Sequence, residues 1–161
     1  MVSVTISDAF AAVQEKLNKA ATRAGREEKE ITLIAVSKQQ QDERIDASLA
    51  TGHRTFGENR VQEAKTRWTE RKSLYPDLCL HLIGPLQSNK IAEAVRLFDV
   101  IHTVDRPKIA TAIAAEAAKQ QKQIDCFIQV NTGDEPQKSG ISPSDVAAFL
   151  AFCRTQAGLS V

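Results

Sequence analysis

The sequence predicts an α/β protein built on a parallel sheet, and three observations carry that expectation. Helical and strand periods alternate along the whole 161-residue chain. The first strand-like run, Ile31-Thr-Leu-Ile-Ala-Val36, is apolar at successive positions, as in a strand covered on both faces. Each strand-like run is separated from the next by a helix-length segment, the spacing of right-handed βαβ crossovers.

Residues 8–24 place Phe10, Val13, Leu17, Ala20 and Ala24 at helical spacing, with Ser7 as the expected cap and Gly25 as the stop. The strand over 31–36 follows. A second helix is expected near 42–51, ending at Gly52, and then a short strand, Thr55-Phe-Gly57. A helix near 60–73 starts after Asn59, with Gln62 placed as a capping-box-like partner. Residues 78–83 read as a strand, Ser88 as the cap of a helix carrying Ile91, Val95 and Phe98, and residues 100–104 as the next strand. Asp105 and Pro107 open a helix over 107–121, where proline in the first turn has no hydrogen bond to lose. Residues 126–130 read as a strand. Ser142-Pro-Ser-Asp145 starts a helix leading to Val146, Phe149, Leu150 and Phe152, and Leu159-Ser-Val161 begins another strand. About five β/α units are expected, in one domain spanning 1–161. A doubly wound open sheet and part of a TIM-type (β/α) barrel both accommodate this order, and periodicity does not separate them.

Hydrophobic residues make up 42% of the chain and charged residues 25%, which suits a folded core. The formal net charge of +1 supplies no global attraction to nucleic acid or to an acidic membrane. The cysteines, Cys79, Cys126 and Cys153, are widely spaced and form no C-x-x-C pair. That argues against a disulfide framework or a zinc ribbon and fits a reducing cytoplasm. Residues 1–12 include Asp8 and lack the basic start and apolar run of a signal peptide. No apolar stretch approaches the roughly 20 residues that span a bilayer.

Lys38 follows the first strand directly, and in parallel α/β folds ligands bind at the carboxyl ends of strands. A partly desolvated lysine there would favour the free amine, able to attack an aldehyde. The competing reading is a surface lysine leaving a strand for solvent. Phe56-Gly-Glu-Asn59 also follows a strand, and Asn59 either offers an amide to a ligand or caps the next helix. The turn Gly84-Pro-Leu-Gln-Ser-Asn-Lys90 reads equally as an anion site or as an ordinary βα loop. In residues 131–140, Gly133 and Lys138-Ser139 echo a phosphate-binding P-loop. Gln137 stands where that motif needs glycine, and Pro136 has no amide proton, so the nucleotide reading fails. Cys79 and His81 share one strand face without a second ligand pair nearby, which makes His81 a pocket or core histidine rather than a metal ligand. His53 and His102 show no evident partners, and Trp68 reads as a packing residue.

Taken in order, Ala35-Val-Ser-Lys38, Phe56-Gly-Glu-Asn-Arg-Val-Gln-Glu63, His81-Leu-Ile-Gly-Pro-Leu-Gln-Ser-Asn-Lys90 and Val130-Asn-Thr-Gly-Asp-Glu-Pro-Gln-Lys-Ser-Gly140 resemble the motifs of the pyridoxal phosphate homeostasis proteins, also called proline synthetase co-transcribed proteins. The resemblance runs from about residue 8 to the end. It implies a fold like the N-terminal barrel of alanine racemase, the type III fold of pyridoxal 5′-phosphate (PLP) proteins. It further implies that Lys38 forms a Schiff base with PLP, that Asn59, His81 and Ile83 line the cofactor, and that Lys138 is a second contact. The implied role is to buffer and deliver PLP to apo-enzymes that need it, without robust catalysis. Two departures stand out. The family's later phosphate-binding turns have no counterpart before Val161, and Arg60 stands where the family often has tyrosine.

Two other functions compete. A racemase or decarboxylase of the same fold needs acid–base groups about the cofactor, and a racemase needs them on opposite faces. The only tyrosine, Tyr75, falls in an expected helix-to-strand loop, which disfavours a racemase. A cofactor-free interaction module is the other alternative. Because about five strands fall short of the eight that close a barrel, the segment alone is expected to expose unpaired sheet edges and to associate.

Overall fold

A computed structural model describes residues 5–161. The first residues of the stretch read as lacking a signal peptide, 1–4, lie outside it. Helices and strands alternate in the order α1 (Ile6–Arg23), β1 (Ala35–Val36), α2 (Asp42–Ala50), β2 (Thr55–Glu58), α3 (Val61–Leu74), β3 (Cys79–Leu82), α4 (Ile91–Leu97), β4 (Val100–Val104), α5 (Pro107–Lys119), β5 (Ile124–Ile128), α6 (Val146–Arg154) and β6 (Leu159–Ser160). The strands form one sheet in the order β1-β2-β3-β4-β5-β6. Every adjacent pair is parallel.

This order settles what periodicity left open. A doubly wound sheet reverses its strand order at a switch point, whereas a barrel lays each strand beside the last. The sheet here is wound in the second way, with β1 and β6 as its two edges.

Right-handed crossovers between consecutive strands place the helices on one side of the sheet. The core lies between that side and the helices. Phe56, Trp68, Leu80, Leu82, Ile101, Ile109, Ile113 and Ile124 are fully buried, each contributing about 1.5–3 kcal/mol by leaving water. The other face is more open. There a Cβ added at Gly57 would lie 3.0 Å from Ile34 Cγ2 and 3.1 Å from Ile83 Cδ1, so these side chains meet across the glycine. His81, His102 and Phe127 form a second cluster.

Several local expectations change. Of residues 31–36 only Ala35–Val36 pair as strand, and Val36 is 47% exposed, because β1 has a neighbour on one side only. Thr5, not Ser7, caps α1: its hydroxyl accepts the Asp8 amide at 3.1 Å, while the Asp8 carboxylate accepts the Thr5 amide at 3.1 Å. The cap position of α3 is Arg60 rather than Asn59, without a side-chain bond. Gln62 instead accepts from Lys90 Nζ at 3.3 Å. Ser88 lies inside a short 3₁₀ turn, Ser88–Lys90, ahead of α4. β2 runs on to Glu58. β5 starts at Ile124 and ends at Ile128, beyond which Val130 makes an isolated bridge to Ile141.

Candidate functional site

Three of the five expected site residues, Lys38, Asn59 and Ile83, lie just beyond the carboxyl ends of β1, β2 and β3, while His81 lies within β3 and Lys138 in the long loop after β5. Lys38 follows β1 in a turn over residues 37–40, closed by the Gln40 amide donating to the Ser37 carbonyl at 3.1 Å. Gln39, the third residue of that turn, has φ +59°. This is the left-handed value that a type II turn requires and that normally favours glycine or asparagine. Lys38 itself is exposed, so the expected partial desolvation of its amine is absent here.

The turn is tied down from the helix side. Ser37 is buried, and its hydroxyl donates to Glu58 Oε1 at 2.8 Å. The same carboxylate oxygen accepts from Arg67 Nη1 at 2.9 Å and from the Trp68 indole at 3.0 Å. Glu58 is completely buried, and its Oε2 has no hydrogen-bond partner among the described residues. The Arg67 guanidinium also donates to the carbonyls of Ser37 (3.2 Å) and Gln40 (3.0 Å).

Asn59 follows β2 and is half-buried. Its backbone crosses directly over Gly84, where a Cβ would fall 2.2 Å from the Asn59 carbonyl oxygen and 2.7 Å from its Cα. Glycine at 84 is therefore demanded by the close approach of two chain segments, the loops after β2 and β3. Thr103 secures the same point from β4, donating its hydroxyl to the Gly84 carbonyl at 2.9 Å.

His81 is buried on β3, and its Nδ1 lies 2.8 Å from Nε2 of His102 on β4. Its own Nε2 lies 3.3 Å from the Cys79 sulfur. Burial, and then the neighbouring His102, push His81 down to about 4. Burial also lowers His102. His102, which showed no evident partner in the sequence, is thus paired across the sheet and packs against Phe127 with ring centroids 4.7 Å apart.

Ile83 and Lys138 line one cleft of about 370 Å³ between the ends of β3, β4 and β5, with Thr103, Asn131 and Thr132 among its other walls. Lys38, Asn59 and His81 do not line it. Lys138 is exposed and pairs with Glu135 at 2.5 Å. The loop carrying it is folded back by the Asn131 amide, which donates to the Glu135 carbonyl at 2.8 Å. Lys90, the cation of the other anion-site candidate, is engaged with Glu93 at 3.4 Å and with Gln62.

Tyr75 ends α3 at the amino-terminal side of β3, beneath the Arg54 guanidinium at 4.7 Å, and so at the end of the sheet opposite Lys38. Sequence reasoning passed over Glu58 and Arg67. The one available signal was an ionisable residue inside the apolar alternation of β2. Among the described residues, no group of three or more His, Cys, Asp or Glu is placed to hold a metal ion.

Residues 9–161 match the alanine racemase, N-terminal domain family. The chain is 40% identical over 147 residues to the pyridoxal phosphate homeostasis protein of Escherichia coli (strain K12), a match covering 91% of the chain and 63% of that protein. It spans less than two thirds of the length of that curated relative. Among solved structures it resembles PipY of Synechococcus elongatus. The form without PLP is 35% identical, with a TM-score of 0.77 over 90% of this chain and 67% of that one. The form with PLP bound is 34% identical, with a TM-score of 0.75 over 90% and 66%. An unknown protein from Bifidobacterium adolescentis is 28% identical, with a TM-score of 0.89 over 97% of this chain and 66% of that one. Sheet order and sequence match point the same way: the chain belongs to the alanine racemase N-terminal domain family, as a relative of the pyridoxal phosphate homeostasis proteins.

Proposed function

We propose that the protein binds PLP covalently through Lys38 and holds it for delivery to apo-enzymes rather than turning over amino acids. The observation that carries this reading is the place of Lys38. It sits on a turn at the carboxyl end of a parallel strand, in a family whose member PipY has been solved with PLP bound.

The residues present fit the aldehyde and the ring of the cofactor. PLP supplies an aldehyde that a free amine attacks and a ring that withdraws electrons when bound. Lys38 offers an amine open to solvent. Ile34 and Ile83, meeting over Gly57, offer an apolar floor for a flat ring, and the half-buried Asn59 offers an amide at its edge. His81, held neutral at neutral pH, lines the site without adding a cation. Lys138 acts as a second contact and must leave Glu135 to do so.

The place of the tyrosine supports the carrier reading. Proton transfer at substrate carbon needs a positioned acid–base pair, and Tyr75 lies at the wrong end of the sheet. We assign the whole chain, 1–161, to one cofactor-binding unit. Its free cysteines suit a cytoplasmic setting. No helix among the described residues is long and apolar enough to cross a membrane.

Borohydride reduction of the PLP-loaded protein, followed by peptide mapping, tests the reading. The label is expected on Lys38 and is lost in Lys38→Ala. A label on another lysine with Lys38 unmodified overturns the assignment. Alanine racemisation at roughly 10 per second, an ordinary enzyme rate, overturns the carrier role.

A further inference from the structure

We infer that Arg67, anchored by the buried Glu58, is the positioning residue for Lys38, its guanidinium clamping both ends of the turn that carries the lysine. This rests on the reading of Lys38 as the cofactor lysine. The turn over residues 37–40 needs such a clamp. Gln39 holds φ +59°, a conformation that a side-chain-bearing residue adopts at a cost. The only backbone bond within the turn is that from Gln40 to Ser37. β1, which leads into it, is two residues long and paired on one side only.

Arg67 compensates from α3. Nη1 donates to the Ser37 carbonyl at 3.2 Å and Nη2 to the Gln40 carbonyl at 3.0 Å, so one planar group spans the first and last residues of the turn. Nη1 is fixed in turn by Glu58 Oε1 at 2.9 Å, and Asp42 lies 3.7 Å from Nε. Glu58 also holds the Ser37 hydroxyl, so the carboxylate and the guanidinium grip the same residue from two sides. Lysine cannot replace this arrangement, because a single ammonium lacks the fork that reaches two carbonyls. The residues just before and just after Lys38–Gln39 are thereby immobilised while the Lys38 side chain stays free to react, which is the requirement for preorganised attack.

The test uses Arg67→Lys and Arg67→Met, each alone and with Gln39→Gly. Glycine relieves the positive φ and so makes the turn independent of the clamp. Two quantities are measured: hydrogen exchange of the Gln40 amide in the protein without PLP, and the rate at which PLP becomes reducible onto Lys38. In Arg67→Lys we expect Gln40 exchange to quicken and Lys38 labelling to slow, each on the order of tenfold, with exchange in β3 and β4 unchanged. Gln39→Gly should restore both. If Arg67→Met fails to fold, Arg67→Lys alone decides the matter. Arg67→Lys matching the unsubstituted protein in both quantities overturns the clamp while leaving the cofactor reading intact. Faster Gln40 exchange in a protein whose unsubstituted form never labels Lys38 overturns the cofactor reading and the positioning role with it.

Discussion

Nδ1 of His81 and Nε2 of His102 lie 2.8 Å apart, so one proton is shared between two imidazole rings across β3 and β4. Burial first, and His102 second, push His81 from 6.5 down to about 4, while Asp99 and Asp125 act the other way. Between those values the unfolded chain holds more protons than the folded one. Stability from this source is therefore complete above about pH 6.5 and lost progressively as pH falls toward 4. Urea midpoints measured at pH 7, 5.5 and 4.5 should fall in that order. His102→Gln removes the second cause, and an NMR titration of its His81 should show the midpoint moved upward. A midpoint unchanged by His102→Gln would leave burial as the sole cause.

Gly84→Ala should destabilise the protein by about 3 kcal/mol, because the new methyl collides with backbone rather than with a flexible side chain. Relief requires the Asn59 segment to move away. The same substitution is therefore expected to weaken PLP binding by more than Gly133→Ala, whose nearest obstacle is the movable Glu135 side chain. Thermal melts and PLP titration of both variants make the comparison.

Trp68→Phe keeps the ring packed against Phe56 but removes one of the donors to Glu58. The loss should be about 1–3 kcal/mol, the cost of leaving a buried acceptor short of a bond. It must be followed by circular dichroism, since the substitution deletes the only tryptophan. A loss no greater than that of a conservative surface change would mean that the indole serves as packing alone.

Cys126 and Cys153 are buried, and burial pushes both thiols up, Cys126 to about 12. Cys79 is half-buried and also raised, by burial and by Asp99. The reactive species is the thiolate. Iodoacetamide at pH 8 should therefore spare Cys126 and Cys153 in the native protein and modify all three cysteines in denaturant. Mass spectrometry of the native sample reads this directly, and carboxamidomethyl on Cys153 would contradict the packing of α6.

The alternation of helices and strands was legible because each element writes its period into its own residues, as Ile109, Ile113 and Ala117 do on α5. The order of the strands was not legible in the periodicity, since pairing joins residues such as Phe56 and Leu80 that no local pattern relates; the resemblance of the four motifs alone implied the barrel order, which the sheet follows. Caps were misplaced where a second polar residue stood nearby: Ser7 drew the assignment that belonged to Thr5, although the Thr5–Asp8 box was also readable. In the candidate site, Lys38 was visible from its position after a strand. Its supports were not. Glu58, Arg67 and Trp68 meet Ser37 only because β2 and α3 fold back on β1, and the expectation that β2 stopped at Gly57 left Glu58 in a loop. His102 had no visible partner for the same reason. Its contact depends on the register between β3 and β4, which pairs His81 with Val100 and sets His102 diagonally across from it.

Each strand of the sheet lies beside the strand made immediately before it, and α2, α4, α5 and α6 each pack on the helix before them. The loops closed at every step are therefore short, and the entropy lost in closing them is small. A ribosome releases the amino-terminal units first. β2 can settle on β1 before the last strands have been made, and every later strand meets an edge already in place. Vectorial synthesis and assembly thus follow one order, and no described strand has to wait for a partner encoded far downstream before it can begin to pair.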